Sequence, residues 1–152
     1  MDFVTNNAQE TQELARKLAN IVLKMPGPVV LSLDGELGGG KTTFLQGFAQ
    51  ELGVAENITS PTFVIFNHYQ INNPNFMGFY HFDCYRLQGP QDLLDLDAEQ
   101  ILKNPQNIVA IEWAERIKDL LPENTIYLQF VFVEENKREI KIKNGPQELS
   151  NN

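Results

Sequence analysis

With 152 residues, 42% of them hydrophobic and including ten Phe, four Tyr and one Trp, the chain has the size of one domain and the bulk for a core, which argues against intrinsic disorder. Twelve Lys and Arg against 20 Asp and Glu give a net charge of −8, a surface that repels phosphate backbones and argues against a free-standing, non-specific DNA or RNA binder. A lone cysteine, Cys84, excludes an intramolecular disulfide framework and a cysteine-rich zinc site.

The N-terminus, MDFVTNNAQETQELARK, is polar and acidic, without the basic-then-apolar order of a signal peptide. No apolar run approaches the ~20 residues of a membrane span, so a reduced, cytoplasmic protein with no membrane partner is expected. Between Asn7 and about Lys24, Leu14, Leu18, Ile21 and Val22 recur at helical spacing. Asn7 followed by Glu10 resembles a capping box with Asn in place of Ser or Thr, and Met25-Pro26-Gly27-Pro28 stops the helix. Val29–Leu33 is a short apolar strand followed at once by a glycine cluster. A second helix is expected from about Lys41 to Leu52, ending at Gly53, where a left-handed residue is tolerated. Phe63–Ile71 and Phe76–Arg86 are aromatic-rich and flank Asn72-Asn73-Pro74-Asn75, the composition of a β-hairpin.

Pro90 suits the first position of a helix running to about Leu102. Asn107–Glu112 reads as a buried central strand, followed by a short helix to Leu121 and a break at Pro122. In 126–133 both alternating sets are mostly apolar, so this strand is expected to be covered on both faces. Glu139–Lys143 alternates charged residues with Ile140 and Ile142 and suits an edge strand; 147–152 reads as a flexible C-terminal tail.

The chemistry sits in Gly35-Glu36-Leu37-Gly38-Gly39-Gly40-Lys41-Thr42-Thr43, which fits G-x-x-x-x-G-K-[ST] between an apolar strand and a helix. A triphosphate must be wrapped at close range by main-chain N–H groups, and glycines permit that approach. The loop feeds a helix N-terminus, whose free N–H groups favour an anion. Lys41 would reach the β- and γ-phosphates and the Thr42 hydroxyl would bind Mg²⁺. A chance match of the bare pattern is expected in roughly one chain in a few hundred, and the strand and helix around it lower that further. Residues 1–146 therefore read as a single P-loop ATPase domain.

Mg²⁺ takes one or two carboxylates together with phosphate oxygens and water. Glu112, closing a buried strand, and Asp83, ending the second hairpin strand, are placed to serve; an ordinary surface acid at a strand end is the alternative for each. Thr62, in Ser60-Pro61-Thr62-Phe63, could act as a switch residue, although on the residues alone a Pro-led turn with a solvated threonine is the preferred reading. His68, His81, Cys84 and Trp113 read as packing residues, and Arg86 as a surface charge. Asn136-Lys137-Arg138-Glu139 approaches the guanine-reading N-K-x-D of GTPases, but the alternation that resumes at Ile140 makes it a hairpin turn.

With these residues in place, the sequence resembles the TsaE family, formerly YjeE, the small bacterial P-loop ATPases of tRNA threonylcarbamoyladenosine formation. The matching pieces are DGELGGGKTTF (34–44), SPTF (60–63), HFDCYRL (81–87) and IEWAER (111–116), with Glu10-Thr11-Gln12 resembling the family's opening helix. The resemblance implies that Gly38, Gly39, Gly40, Lys41, Thr42 and Thr43 hold the phosphates of ATP and that Thr42 and Glu112 bind Mg²⁺. It further implies that Asp83 supports hydrolysis, Thr62 switches, Thr11 lies near the nucleoside and Trp113 packs beside the site. Its implied partners are TsaD and TsaB, with tRNA reached only through them. Gly39 stands where many members have alanine, Cys84 replaces a commonly apolar residue, and the C-terminal third carries no family motif, so a role for Arg138 near the nucleotide has no motif behind it.

The leading expectation is a Mg²⁺-dependent ATPase, slow on its own, with Lys41, Asp83 and Glu112 as its catalytic groups. The alternatives are a nucleotide-gated adaptor, in which binding rather than hydrolysis matters, and a small-molecule kinase. The four arginines, Arg16, Arg86, Arg116 and Arg138, are not clustered as a kinase lid would need. The expected fold is a three-layer α/β domain of P-loop NTPase type, with a mostly parallel central sheet extended by the antiparallel hairpin 63–86.

Overall fold

A computed structural model describes residues 1–36, 38–59, 65–87, 91–92 and 97–151. In chain order the elements are β1 Asp2–Thr5, α1 Ala8–Val22, β2 Val29–Gly35, α2 Lys41–Leu52, β3 Phe66–Gln70 and β4 Gly78–Asp83. They continue with α3 Ala98–Lys103, β5 Asn107–Glu112, a 3₁₀ segment Ala114–Leu120, β6 Ile126–Glu134, β7 Lys137–Lys143 and a 3₁₀ turn Gln147–Ser150. The strands form one sheet in the order β1-β7-β6-β2-β5-β4-β3. Its centre, β6-β2-β5-β4, is parallel throughout, while β3 pairs antiparallel with β4, and β7 and β1 add antiparallel strands at the other side. The parallel core and the hairpin extension are those the sequence predicts.

Burial explains why β2 and β5 are central. Every residue of β5 is buried, as are Val29–Leu33 of β2, and strands covered on both faces must read as continuous apolar runs. Alternation then divides their side chains. Leu31, Leu33, Ile108, Ala110 and Phe79 join Leu18 of α1 and Phe44 and Phe48 of α2 in the larger core. Val30, Val109, Ile111 and Phe82 face α3 and the 114–120 segment in the smaller one. By the same period of two, His81, Asp83 and Glu112 lie on the α2 side of the sheet. Aromatic contacts brace α2 against the strands: Phe44 meets Phe130 edge-on at 5.4 Å, and Phe48 lies 5.8 Å from Phe79.

α2 begins and ends where the sequence places it, with Gly53 left-handed at φ 89°. α1 and α2 pack closely because Gly47 has no side chain: a Cβ there would stand 2.8 Å from both Cα and O of Gln12. Gly47→Ala is therefore expected to push the two helices apart and destabilise the domain by about 1–3 kcal/mol, despite alanine's better helix propensity. Thermal melts of the two proteins check this.

Other expectations meet corrections. Glu139–Lys143 is part of β7 but not at the sheet edge, because β1 pairs with it through Asp2–Lys141 to Thr5–Arg138. β6 is covered on one face only: α3 and the 114–120 segment reach over β2, β5 and β4, leaving Tyr127 37% and Val133 46% exposed. The helix expected over 90–102 is not continuous among the described residues, since Asp97 turns left-handed (φ 56°) and α3 starts after it; Pro90 lies outside them. The short helix before Pro122 is 3₁₀, with Ile117 out of helical geometry. Gln147–Ser150, read from the sequence as part of a tail, forms a turn that buries Leu149, and Lys17 Nζ donates to the carbonyls of Leu149 (3.0 Å) and Asn151 (2.9 Å).

At the start of α1, Asn7 Oδ1 accepts from Glu10 N (2.8 Å) as a capping residue should, but Glu10 returns its bond to Asn6 N (2.7 Å), one residue earlier than in a regular box. Among the described residues no helix is long and apolar enough to cross a membrane.

Candidate functional site

The loop between β2 and α2 opens at the carboxyl ends of the parallel strands, where open α/β sheets place their ligands. Gly38 (φ 81°) and Gly40 (φ 101°) hold the left-handed backbone that lets the chain double back into α2. Gly40 caps α2 without a side-chain bond, so the first-turn N–H groups at Lys41–Thr43 are not shielded by a capping side chain and point to where an anion would sit. Gly39 N donates to Glu36 O (2.9 Å) and Phe44 N to Gly40 O (2.9 Å), closing the loop on itself.

Lys41 lies across the mouth of this loop. Its Nζ donates to Gly35 O at 2.6 Å, stands 3.9 Å from Glu112 Oε1, and is 5.9 Å from the centre of the Trp113 ring. Glu112 is buried, and its other oxygen, Oε2, is 2.8 Å from Nε2 of fully buried His81. Asp83 sits directly opposite Glu112 in the β4–β5 register, half-buried, its Oδ1 accepting from Tyr85 N (3.1 Å). Asp83 and Glu112 thus close the adjacent strands β4 and β5, and Lys41, the first residue of α2, reaches back to Gly35 at the end of β2 beside them. Thr42 and Thr43 follow in the first turn of α2.

Trp113 leaves β5 with φ 58°, an uncommon conformation for a bulky residue, and its ring leans on Tyr85 at 5.0 Å. That backbone turn swings the chain off the sheet just past Glu112 and leaves the indole beside Lys41. Strain of this kind concentrates where a site needs an awkward placement.

Beyond the loop, a cleft of about 100 Å³ is lined by Asn7, Ala8 and Thr11 of the α1 start, Gly40 and Thr43, and Glu135, Asn136 and Arg138 of the β6–β7 turn. Thr11 is buried there, its hydroxyl 2.7 Å from that of Thr5, which ties α1 to the edge strand. Thr62 and its neighbours 60–64, and Leu37, lie outside the described residues.

Sequence reasoning fell short on two residues: Arg138, placed near the nucleotide with no motif behind it, and His81, read as packing. Arg138 donates from Nη2 to Gly38 O (3.1 Å) and from Nη1 to the carbonyls of Glu134 (2.8 Å), Glu135 (3.2 Å) and Lys137 (3.0 Å). Its guanidinium also covers the Phe132 ring at 4.7 Å. It therefore locks the β6–β7 turn onto the glycine loop. The stretch 136–139 does form a hairpin turn and the start of β7, as its alternation implies, yet that turn stands on the rim of the cleft. The available signal is a basic pair, Lys137-Arg138, at a tight turn. The second is His81, which is packed as expected but is bonded to Glu112 as well.

Cys84 is a core residue of the smaller cluster, and burial pushes its thiol up to about 12, with the charges of Asp83 and Glu115 adding to the effect. Because the thiolate is the reactive form, native protein is expected to resist iodoacetamide at pH 8 and to be alkylated once unfolded in urea. Since the folded pKa lies above the thiol's ordinary value of 9.0, the unfolded chain ionises first, and this group's contribution to stability falls as pH rises from about 9 toward 12.

Oxygen donors beside the loop include Thr42 in the first turn of α2 and the Glu112 carboxylate, with Asp83 directly across the β4–β5 pairing. Among the described residues no group of three or more His, Cys, Asp and Glu could hold a metal ion by itself. One hydroxyl and one carboxylate fit Mg²⁺, a hard cation that draws its remaining ligands from phosphate and water.

The family model for the threonylcarbamoyl adenosine biosynthesis protein TsaE matches residues 5–140. The tRNA threonylcarbamoyladenosine biosynthesis protein TsaE of Rickettsia felis is 37% identical over 149 residues, covering 97% of this chain and 82% of that protein. Its counterpart in Bacillus subtilis is 36% identical over 136 residues, with 90% and 80% covered, and that of Treponema pallidum 34% over 142 residues, with 93% and 99% covered. The crystal structure of YdiB from Bacillus subtilis matches with a TM-score of 0.69 at 29% identity, over 99% of this chain and 88% of that one. Matched by the family model over most of its length and by relatives from end to end, the chain belongs to the TsaE family.

Proposed function

We propose that this chain is a Mg²⁺-dependent, ATP-binding and slowly ATP-hydrolysing accessory protein of tRNA N6-threonylcarbamoyladenosine biosynthesis, acting in the cytoplasm with TsaD and TsaB. The observation that carries the reading is the meeting of Lys41 and Glu112, 3.9 Å apart, at the mouth of a glycine loop that adjoins the Thr11 cleft. The main-chain N–H groups of Gly38–Thr43 hold the phosphates, and Lys41 moves from Gly35 O onto their β and γ oxygens. Thr42 and Glu112 hold Mg²⁺, which supplies charge neutralisation on the phosphate oxygens when bound. Thr11 stands by the nucleoside, Thr62 responds to the γ-phosphate, and Asp83 orients the attacking water. Catalysis is positioning and electrostatics, and Arg138, whose guanidinium is bound to main-chain carbonyls, is not free to act as an arginine finger. Slow turnover by the isolated protein follows.

Tight binding of tRNA by a chain of net charge −8 is not needed when partners hold it. The test is reconstitution with TsaD, TsaB and tRNA. Multiple-turnover modification is expected only with this protein and ATP present; equal yield without it would overturn the proposal.

A further inference from the structure

We infer that His81 is a positioning residue, which fixes the Glu112 carboxylate in the orientation that the magnesium–nucleotide site requires; the inference rests on the function proposed above. His81 sits on β4, two residues before Asp83, and its register partner is Ala110, so Glu112 is its diagonal neighbour on the same face. At that diagonal a long side chain can be reached, and the Nε2–Oε2 distance is 2.8 Å. The residue is 1% exposed, so no bulk water competes for this bond.

The carboxylate can only accept, which assigns a proton to Nε2. Among the described residues the buried Nδ1 has no partner, and a proton placed there would be an unpaired buried donor, whereas on Nε2 it is donated to the carboxylate. A neutral Phe or Leu would fill this interior position without burying polar atoms, so packing alone does not account for a histidine. Its effect on Glu112 is geometric. With Oε2 held from behind by His81, Oε1 is the oxygen turned to Lys41 and the loop mouth. A carboxylate at a strand end without that bond would sample other rotamers and lose time in the orientation that faces the metal. Partners behind a metal ligand commonly change metal affinity in this way.

The experiment measures Mn²⁺, as a spectroscopic stand-in for Mg²⁺, bound to the protein–ADP complex by electron paramagnetic resonance. ADP affinity without metal is measured by calorimetry in EDTA. His81→Phe keeps bulk and removes the donor; His81→Gln places an amide N–H near the position of Nε2. His81→Phe is expected to weaken Mn²⁺ binding by about 10–100-fold, with metal-free ADP affinity unchanged and with His81→Gln restoring most of the loss. Should His81→Phe fail to fold, His81→Asn, too short to reach Oε2, takes its place. Wild-type Mn²⁺ affinity in the donor-less variant, or equal impairment of the Gln and donor-less variants, overturns the inference and leaves the proposed function standing. A wild-type protein that binds no ADP overturns both.

Discussion

Lys41→Ala is expected to weaken ATP binding by on the order of 10²-fold, because the ammonium group would contribute charge-assisted hydrogen bonds worth about 1.5–3 kcal/mol to the phosphates. Its present partners show that the group is already at the loop mouth: Gly35 O at 2.6 Å and Glu112 Oε1 at 3.9 Å. Losing them costs little stability, since Gly35 is only partly buried and water can replace the ammonium there. Calorimetric titration with ATP and a thermal melt separate the two effects. An affinity within threefold of wild type would remove Lys41 from the proposed phosphate site. The same preparation distinguishes enzyme from adaptor. Asp83→Ala is expected to keep nucleotide affinity and lose hydrolysis. If it still supports repeated tRNA modification in the reconstituted system while Lys41→Ala does not, occupancy rather than hydrolysis is the functional event.

What the sequence disclosed was local. The phosphate loop and α2 are legible because each element depends on neighbours within a few residues: an apolar strand, glycines, a lysine and a closing Gly53. Glu112 could be singled out only as a carboxylate closing an apolar strand, with an ordinary surface acid the alternative; its burial and its bond to His81 are visible only in the fold. What could not be read lies across long separations. β1 has four residues and no apolar alternation, and it exists because β7 offers an open edge 135 or so positions away. Arg138 reaches Gly38 across 100 residues, and nothing around it distinguishes a lock from a solvated turn. The exposed face of β6 has the opposite cause: its apolar residues promised a cover that the short α3 and 114–120 segment do not extend to supply.

His81 shows the same boundary on a smaller scale. Its neighbours Phe79, Tyr80 and Phe82 make an aromatic strand, and within that strand a histidine reads as filler. Its chemistry comes from Glu112, 31 positions away, which β5 brings alongside β4 in parallel register. The topology therefore assembles a second layer of the site behind the residues that the motifs name.

Glu112→Ala is expected to act twice, and Glu112→Gln once. Alanine removes the acceptor from His81, whose Nδ1 already has no partner among the described residues, and so leaves both ring nitrogens of a buried imidazole without a partner among them. That desolvation penalty is about 1–3 kcal/mol, a loss in Tm on the order of 5 °C for a domain of this size. Glutamine keeps its one oxygen for His81 and most of that stability, but it then turns its amide N–H₂ toward Lys41 and the metal position. Both variants are then expected to lose ATP hydrolysis by on the order of 10²–10³-fold, since one charge that would hold Mg²⁺ is gone. Calorimetric melting and phosphate release, measured on the same samples, read the two effects apart. Equal Tm for Ala and Gln would mean that the His81 bond carries no stability. Wild-type hydrolysis by Glu112→Gln would mean that the carboxylate's charge is not used in the reaction, and the metal would then have to be held from Asp83, the carboxylate directly across the β4–β5 pairing.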